Sequence, residues 1–344
     1  MAKEVKIGNI TIGGGKPIAV QSMTNTVTSD YDATFLQLQR LQEAGCDIAR
    51  LAVNNNEDVE VSKRLIKKID MPLVADIQFD YKLAVMSADA GYAKIRFNPG
   101  NIGSKKNVAE VVSACKQNCV PIRIGVNSGS LEKEISKTYG FGADAMIKSV
   151  QRHVEILEKF GFYDIVLSAK SSDVKTTVEV YRKLYLMGYP LHVGVTESGY
   201  STMGMIKSSI GVGSLLLDGI GDTIRVSLTG DPIQEVEVAQ NILKAIGLKE
   251  DFCEIVSCPT CSRCKYDLES IVKELTEYTK NTKKKIKIAA MGCIVNGPGE
   301  ARDADFGFAG GGNGQAVIFE KGNVVKKIAT DEILSEIKRR IDNF

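Results

Sequence analysis

Tryptophan is absent and histidine nearly so, with His153 and His192 the only two. That scarcity argues against a histidine metal centre or a histidine-based triad. His153 reads as a residue of a surface helix. His192 begins a strand, at the end away from the rim where barrel active sites sit. No apolar run approaches the roughly 20 residues of a membrane span, and Met1-Ala2-Lys3-Glu4 opens without a signal-peptide apolar core. A cytoplasmic protein is the expectation, where thiols stay reduced. Net charge is only +2, which gives no reason to expect nucleic acid. No Gly-x-Gly-x-x-Gly follows the first strand, so a dinucleotide fold is disfavoured. Gly13-Gly14-Gly15-Lys16 lacks the Ser/Thr and the first-glycine spacing of a phosphate loop and reads as a turn. No Cys-x3-Cys-x2-Cys run is present, which argues against a radical-SAM cluster.

What is present is globular: 44% apolar and 25% charged residues, over a length of 344 that suggests two domains. Eight short apolar runs alternate with amphipathic stretches: Ile18–Met23, Ile48–Val53, Leu73–Phe79, Lys94–Pro99, Pro121–Asn127, Asp164–Lys170, Leu191–Glu197 and Thr223–Leu228. Each run is apolar on both sides, as in a strand buried on both faces. Gly45, Gly91, Gly161 and Gly188 each fall where a helix should end before the next strand. Eight such units fit a closed α/β (β/α)8 TIM-like barrel over 1–250. A polar linker, Leu248-Lys249-Glu250-Asp251, leads to a smaller α+β domain over 251–344. There the pattern predicts a strand at Cys253–Ser257, a helix over Cys264–Thr279, a strand at Ile286–Met291, further strands to Ile328 and a closing helix from Asp331. Gly310-Gly311-Gly312-Asn313-Gly314 reads as a hairpin turn.

Two constellations carry chemistry. The first is Cys258-Pro259-Thr260-Cys261-Ser262-Arg263-Cys264, followed later by Met291-Gly292-Cys293. Two-residue spacing lets thiolates converge on one centre, and thiolates select zinc or iron–sulfur. Cys46, Cys115, Cys119 and Cys253 read as ordinary small apolar residues.

The second is arginine inside apolar strands: Arg50, Arg96, Arg123 and Arg225. A guanidinium cannot shed its charge, so burying it unpaired costs several kcal/mol. Four of them in parallel strands converge inside the barrel, and planar forks match phosphate oxygens. A shared polyanion is the expected partner. Lys170, Asn127 and Ser227 add donors near the same rim. Asp76 and Glu197 end strands there. Glu197 is a candidate general acid or an arginine-orienting carboxylate. An anion-binding barrel beside a thiolate cluster suggests electron delivery to a phosphorylated substrate. Zinc has no redox chemistry, and the rival reading is a phosphate-binding barrel with structural zinc, such as a pterin-type transferase.

The chain resembles the bacterial two-domain 4-hydroxy-3-methylbut-2-enyl diphosphate synthases of the methylerythritol phosphate route to isoprenoids. The resemblance runs nearly end to end. It rests on Val20-Gln21-Ser22-Met23-Thr24-Asn25-Thr26, Lys94-Ile95-Arg96-Phe97-Asn98-Pro99-Gly100-Asn101-Ile102-Gly103 and Pro121-Ile122-Arg123-Ile124-Gly125-Val126-Asn127. It rests also on Gly194-Val195-Thr196-Glu197, Gly219-Ile220-Gly221-Asp222-Thr223-Ile224-Arg225-Val226-Ser227-Leu228 and, above all, Gly292-Cys293-Ile294-Val295-Asn296-Gly297-Pro298-Gly299-Glu300-Ala301.

The resemblance implies one [4Fe–4S] cluster held by Cys258, Cys261, Cys293 and the carboxylate of Glu300. It implies reductive opening of 2-C-methyl-D-erythritol 2,4-cyclodiphosphate with electrons from reduced ferredoxin or flavodoxin. It implies a homodimer in which one subunit's cluster domain caps the other's barrel. Carried over, Arg50, Asp76, Arg96, Arg123, Asn127, Lys170, Arg225 and Ser227 surround the substrate diphosphate, and Glu197 is the acid facing the cluster. Glu300 would be a labile oxygen ligand that substrate oxygen could displace. Two departures stand out. Gln78 occupies a position where the family usually has histidine, and a glutamine amide hydrogen-bonds but carries no proton. Cys264 is an additional thiol, a possible fourth ligand by spacing alone, although the family motif points to Glu300.

Overall fold

A computed structural model of the chain describes residues 2–280, 282–295, 299 and 302–344. The chain divides into two compact units, Met1–Leu248 and Lys249–Phe344.

The first unit is a parallel barrel of eight strands: β3 (Ala19–Met23), β4 (Ile48–Ala52), β5 (Leu73–Asp76), β6 (Lys94–Arg96), β7 (Ile122–Asn127), β8 (Ile165–Lys170), β9 (His192–Val193) and β10 (Thr223–Ile224). They are hydrogen-bonded in the order β8-β7-β6-β5-β4-β3-β10-β9. A parallel bridge between Leu167 and Leu191 joins the two ends of that row and closes the ring. All eight expected strands are present, but the last two are shorter than their apolar runs. At Gly194 a Cβ would lie 2.3 Å from the Arg225 carbonyl oxygen, so the strand ends approach too closely for a side chain there.

Helices form between the strands where a capping residue meets an apolar periodicity. Asp30, Asn55, Ser104 and Asp173 each accept a backbone N–H one turn into the helix that follows. Gly45 and Gly91 take φ of +88° and +96° at helix exits, as their positions predict. Leu38, Leu65, Val111, Val150, Leu184 and Leu215 are fully buried against the barrel's outer face. An additional short helix, Lys133–Tyr139, precedes the long helix Ala143–Lys159 between β7 and β8.

The N-terminal hairpin, β1 (Val5–Ile7) paired with β2 (Ile10–Ile12), shares a buried cluster with Ala19, Ile48, Val74 and Val166 from the barrel strands. The first residues of β3 and β4 lie in that cluster, so the hairpin seals the N-terminal mouth of the barrel. The opposite mouth is left for chemistry.

The second unit is a five-stranded sheet in the order β11 (Cys253–Ser257), β12 (Ile286–Met291), β13 (Phe306–Gly312), β14 (Gln315–Glu320) and β15 (Asn323–Ala329). The first three strands are parallel and the rest antiparallel. Leu268, Leu275, Ile333, Ile337 and Ile341 from two helices pack on one face with Ile288, Phe308 and Ile318. The first of these helices begins at Leu268, not at Cys264, because Asp267 caps it through Ser270 N–H. The thiol segment is therefore a turn outside the helix. The outer strand β15 is almost wholly exposed and carries Lys326 and Lys327, charges that guard an open sheet edge.

Candidate active site

The open mouth of the barrel leads into a cavity of about 500 Å³. Arg50, Asp76, Arg96, Arg123, Asn127, Lys170, Arg225 and Ser227 all line it, with Gln78 and Phe79 at the rim. Strand alternation turns Arg50, Asp76, Arg96 and Arg123 inward, and parallel register sets the last three side by side with Arg50 two residues below. Asp76 pairs with Arg96, and Arg96 with Arg123, across successive strands.

Asp76 is the acid within this cluster. Arg96 Nη1 donates to its Oδ1 at 2.9 Å, and Arg50 Nε lies 3.7 Å from Oδ2. Burial pushes the Asp76 carboxyl up, but Arg50, Arg96 and Arg123 outweigh it and hold the group below its ordinary value. Arg96 also donates to the Gly125 carbonyl at 2.9 Å. A Cβ at Gly125 would stand 2.5 Å from Arg96 Nε, so glycine makes room for the guanidinium. Arg225 is held from outside the strands by Glu235 on the helix Pro232–Ala245. Its Nη2 donates to Oε1 at 3.2 Å, and the same carboxylate accepts from Ser22 Oγ and Leu228 N–H.

Arg123 differs. It is 2% exposed, and its Nε has no hydrogen-bond partner among the described residues. Burial, then Arg50 and Arg96, lower its proton affinity strongly. Lys170 is also buried, and its Nζ lies 3.3 Å from His192 Nε2. Burial, then Arg225, Arg123 and Arg50, work against its charge. Below the cavity, fully buried Lys94 donates to Gln21 Oε1 at 3.2 Å. Arg50, Lys94, Arg96, Arg123, Lys170 and Arg225 thus face Asp76 and Glu235: six basic side chains against two carboxylates among the described residues. Such an excess in a low-dielectric interior is relieved by an anion that offers several oxygens at once.

Lys94, Glu235 and Asn98 escape the sequence reading. Lys94 starts its strand and looks like a rim residue, and Glu235 looks like one more surface acid of a helix. Asn98 exchanges two hydrogen bonds with the Gly125 backbone, at 3.0 and 2.9 Å. His153 lies on an outer helix and His192 begins β9, both as expected, but the His153 side chain is only 1% exposed and His192 is wholly buried next to Lys170. Of the four cysteines set aside as apolar, Cys119 is exposed, with φ of +53° just past a helix end. Glu197, expected to end a strand, instead lies in the loop after β9, exposed with φ of +50°, and is not among the residues lining the cavity.

In the second unit Cys258 follows β11 and Cys293 follows β12, and the two parallel strands are neighbours. Gly292 N–H donates to Cys258 Sγ at 3.1 Å. A Cβ on Gly292 would lie 3.0 Å from Cys264 Sγ and 3.2 Å from Cys258 Sγ, so these thiols converge on the glycine. The Arg263 side chain reaches both Cys261 and Cys293. Its backbone N–H, and then its guanidinium, lower the Cys261 thiol below its ordinary value. No three acidic, histidine or cysteine side chains among the described residues are closed around a single-ion centre. A multi-iron cluster asks for something looser, since each thiolate binds its own iron. Cys258, held by a backbone N–H, and Cys261 and Cys293, bridged by Arg263, fit that demand. Glu300 lies outside the described residues.

Residues 2–240 match the family model described as the GcpE TIM-barrel domain, and residues 254–343 match the GcpE protein C-terminal domain. The chain belongs to the GcpE family. Curated relatives from Fusobacterium nucleatum and Clostridium perfringens carry the name 4-hydroxy-3-methylbut-2-en-1-yl diphosphate synthase (flavodoxin). The first is 51% identical over 339 residues, covering 98% of this chain and 96% of its own length. The second is 52% identical over 344 residues, covering 99% and 98%. Among solved structures, the Yersinia pestis dihydropteroate synthase aligns with a TM-score of 0.52 at 15% identity, over 72% of this chain and 100% of that one. A truncated 3-deoxy-D-arabino-heptulosonate 7-phosphate synthase from Thermotoga maritima aligns with a TM-score of 0.51 at 12% identity, over 72% and 94%. These two likenesses speak to the barrel fold alone. Among the described residues no helix is long and apolar enough to cross a membrane.

Proposed function

We propose that this GcpE-family chain converts 2-C-methyl-D-erythritol 2,4-cyclodiphosphate to 4-hydroxy-3-methylbut-2-enyl diphosphate, the product that its relatives' name carries. In that reaction the cyclic diphosphate opens at a carbon–oxygen bond and a hydroxyl leaves as water. Two electrons and two protons enter. Reduced flavodoxin, which the relatives' name carries, is the electron donor, with ferredoxin as the alternative. Residues 1–250 bind the substrate and residues 251–344 hold the cluster, in a cytoplasmic homodimer where one subunit's cluster domain caps the other's barrel.

The observation that carries this reading is Arg123. A buried guanidinium with an unpartnered Nε, beside a cavity lined by four further cations, supports an absent polyanionic partner. Arg50, Arg96, Arg123, Lys170 and Arg225 grip the diphosphate oxygens, and Asn127 and Ser227 donate to the remaining ones. Asp76 keeps the Arg50 and Arg96 forks oriented without being displaced by the ligand. When bound, one [4Fe–4S] cluster on Cys258, Cys261, Cys293 and Glu300 supplies the two electrons singly. Glu197 supplies a proton at the rim. Gln78, which lines the cavity from the loop after β5, orients substrate by hydrogen bonds and carries no proton.

The test is anaerobic turnover by iron-reconstituted protein, with reduced flavodoxin and the cyclodiphosphate, read by phosphorus NMR. The expected product is the open-chain diphosphate, lost in Arg123→Met and in Cys293→Ser. Reconstituted wild-type protein with full visible absorbance but no product would overturn the assignment.

A further inference from the structure

His153 is a buried residue that the site leaves unexplained. It lies on the helix Ala143–Lys159, on the outside of the barrel, yet it is 1% exposed. Its Nδ1 accepts a hydrogen bond from the Gly100 backbone N–H at 3.3 Å, and its Nε2 lies 2.9 Å from Glu132 Oε1. An acceptor at Nδ1 places the ring proton on Nε2, facing the carboxylate. Glu132 is fixed in turn by Ser149 Oγ, which donates to Oε2 at 2.7 Å. Burial raises the Glu132 carboxyl, but the His153 ring at ion-pair distance and the hydrogen bond from Ser149 overcome this and draw it down to about 2.

Gly100 and Glu132 belong to two different loops. Gly100 is in the turn Pro99–Asn101 after β6, and Glu132 precedes the helix Lys133–Tyr139 after β7. Each loop feeds the cavity: Asn98 and Asn101 line it from the first, and Ser130 and Leu131 from the second. The imidazole packs so closely that a Cβ at residue 100 would meet His153 Cε1 at 2.8 Å. One ring therefore spans both loops and ties them to a rigid helix.

We propose that His153 is a positioning residue for the anion site, holding the two loops so that Asn101 and Ser130 stay directed at the bound diphosphate. This rests on reading the cavity as a diphosphate site. The ring touches no cavity atom itself and works through Gly100 and Glu132. A glutamine amide offers one acceptor and one donor and can replace both contacts, whereas leucine fills the space and replaces neither. Loss of the tie frees backbone that must be ordered again on binding, so affinity falls while the chemistry is retained.

Inorganic diphosphate is titrated into full-length wild-type, His153→Gln and His153→Leu protein by calorimetry, with hydrogen exchange followed over residues 98–103 and 128–132. Wild type and His153→Gln are expected to bind within about threefold of each other, and His153→Leu about tenfold more weakly. Exchange in the two loops should rise only in His153→Leu, and KM should rise more than kcat falls. Should His153→Leu fail to fold, Glu132→Ala replaces it. That change cuts one of the two ties, and weaker binding is again expected. A wild-type protein that binds no diphosphate would bring down the reading of the cavity and this inference with it. Wild-type binding matched by both His153→Leu and Glu132→Ala would overturn the inference alone.

Discussion

Arg96 donates from Nη1 to Asp76 Oδ1 at 2.9 Å, across the register pair that joins β6 to β5. The two side chains project from one level of the barrel into the same cavity, each about a tenth exposed or less. Parallel pairing makes them neighbours, and the other charges near them are those of the remaining strands and of Glu235.

This contact sets a pH dependence. The folded-state pKa of Asp76 is depressed, so its stabilisation is fully present above the unfolded carboxylate value of about 3.9. It is lost as pH falls through the lower, folded value. Asp76→Asn is therefore expected to destabilise the protein at pH 7 by about 3–5 kcal/mol, since Arg50 and Arg96 lose their acid. The gap to wild type should narrow only in strong acid. Urea unfolding at pH 7 and near pH 3 checks this. An equal stability of the two proteins at pH 7 would show that the arginines find other partners.

Arg123 has the opposite balance. Its guanidinium is buried with an unpartnered Nε, so Arg123→Met removes a desolvation cost along with an anion ligand. The variant should match or exceed wild type in thermal stability without ligand, yet bind diphosphate at least about tenfold more weakly. Calorimetry and thermal unfolding on the same samples separate the two effects. A large loss of stability without ligand would mean that Arg123 is a structural residue.

Glu235 anchors Arg225, Ser22 and the Leu228 backbone from outside the strands. Glu235→Ala leaves an uncompensated guanidinium and should cost about 3–5 kcal/mol. It should also weaken diphosphate binding, although Glu235 does not line the cavity. Denaturant midpoints and binding titrations measure both. Unchanged affinity in a folded variant would remove Arg225 from the anion site.

The thiols make separable predictions. Cys293→Ser and Cys258→Ser should abolish the visible absorbance and bound iron of reconstituted protein. Cys264→Ala should retain both, since the Cys264 thiol donates to the Tyr266 carbonyl at 3.3 Å. Iron analysis and absorbance suffice. Loss of iron in Cys264→Ala would make Cys264 a ligand and weaken the assignment of Glu300.

Much of this was legible in the residues. The barrel strands are apolar runs, several set between a helix-ending glycine and a capping Asp, Asn or Ser, and short-range physics fixes those signals. The arginines in the strands stood out because a permanent charge in an apolar run has no local explanation. His153 was not legible. Its helix is amphipathic, and whether a position on the flank of such a helix meets solvent or a neighbouring loop depends on a segment distant in sequence. The extra helix Lys133–Tyr139 and the turn Pro99–Asn101 close over it, and neither is implied by the helix's own pattern.

The sequence by itself determined the order of the barrel strands, the split into two units, the thiol spacing and the presence of charge inside strands. Those are properties of nearby residues, carried by spacing, capping and alternation. Tertiary structure decided which charges share one cavity, that Lys94 lies inside the barrel, that Glu235 reaches in from a helix, and that His153 spans two loops. Alternation says which face of a strand a side chain takes. Only register and closure of the ring say which side chains it meets there, because those partners come from strands and helices far apart in the chain.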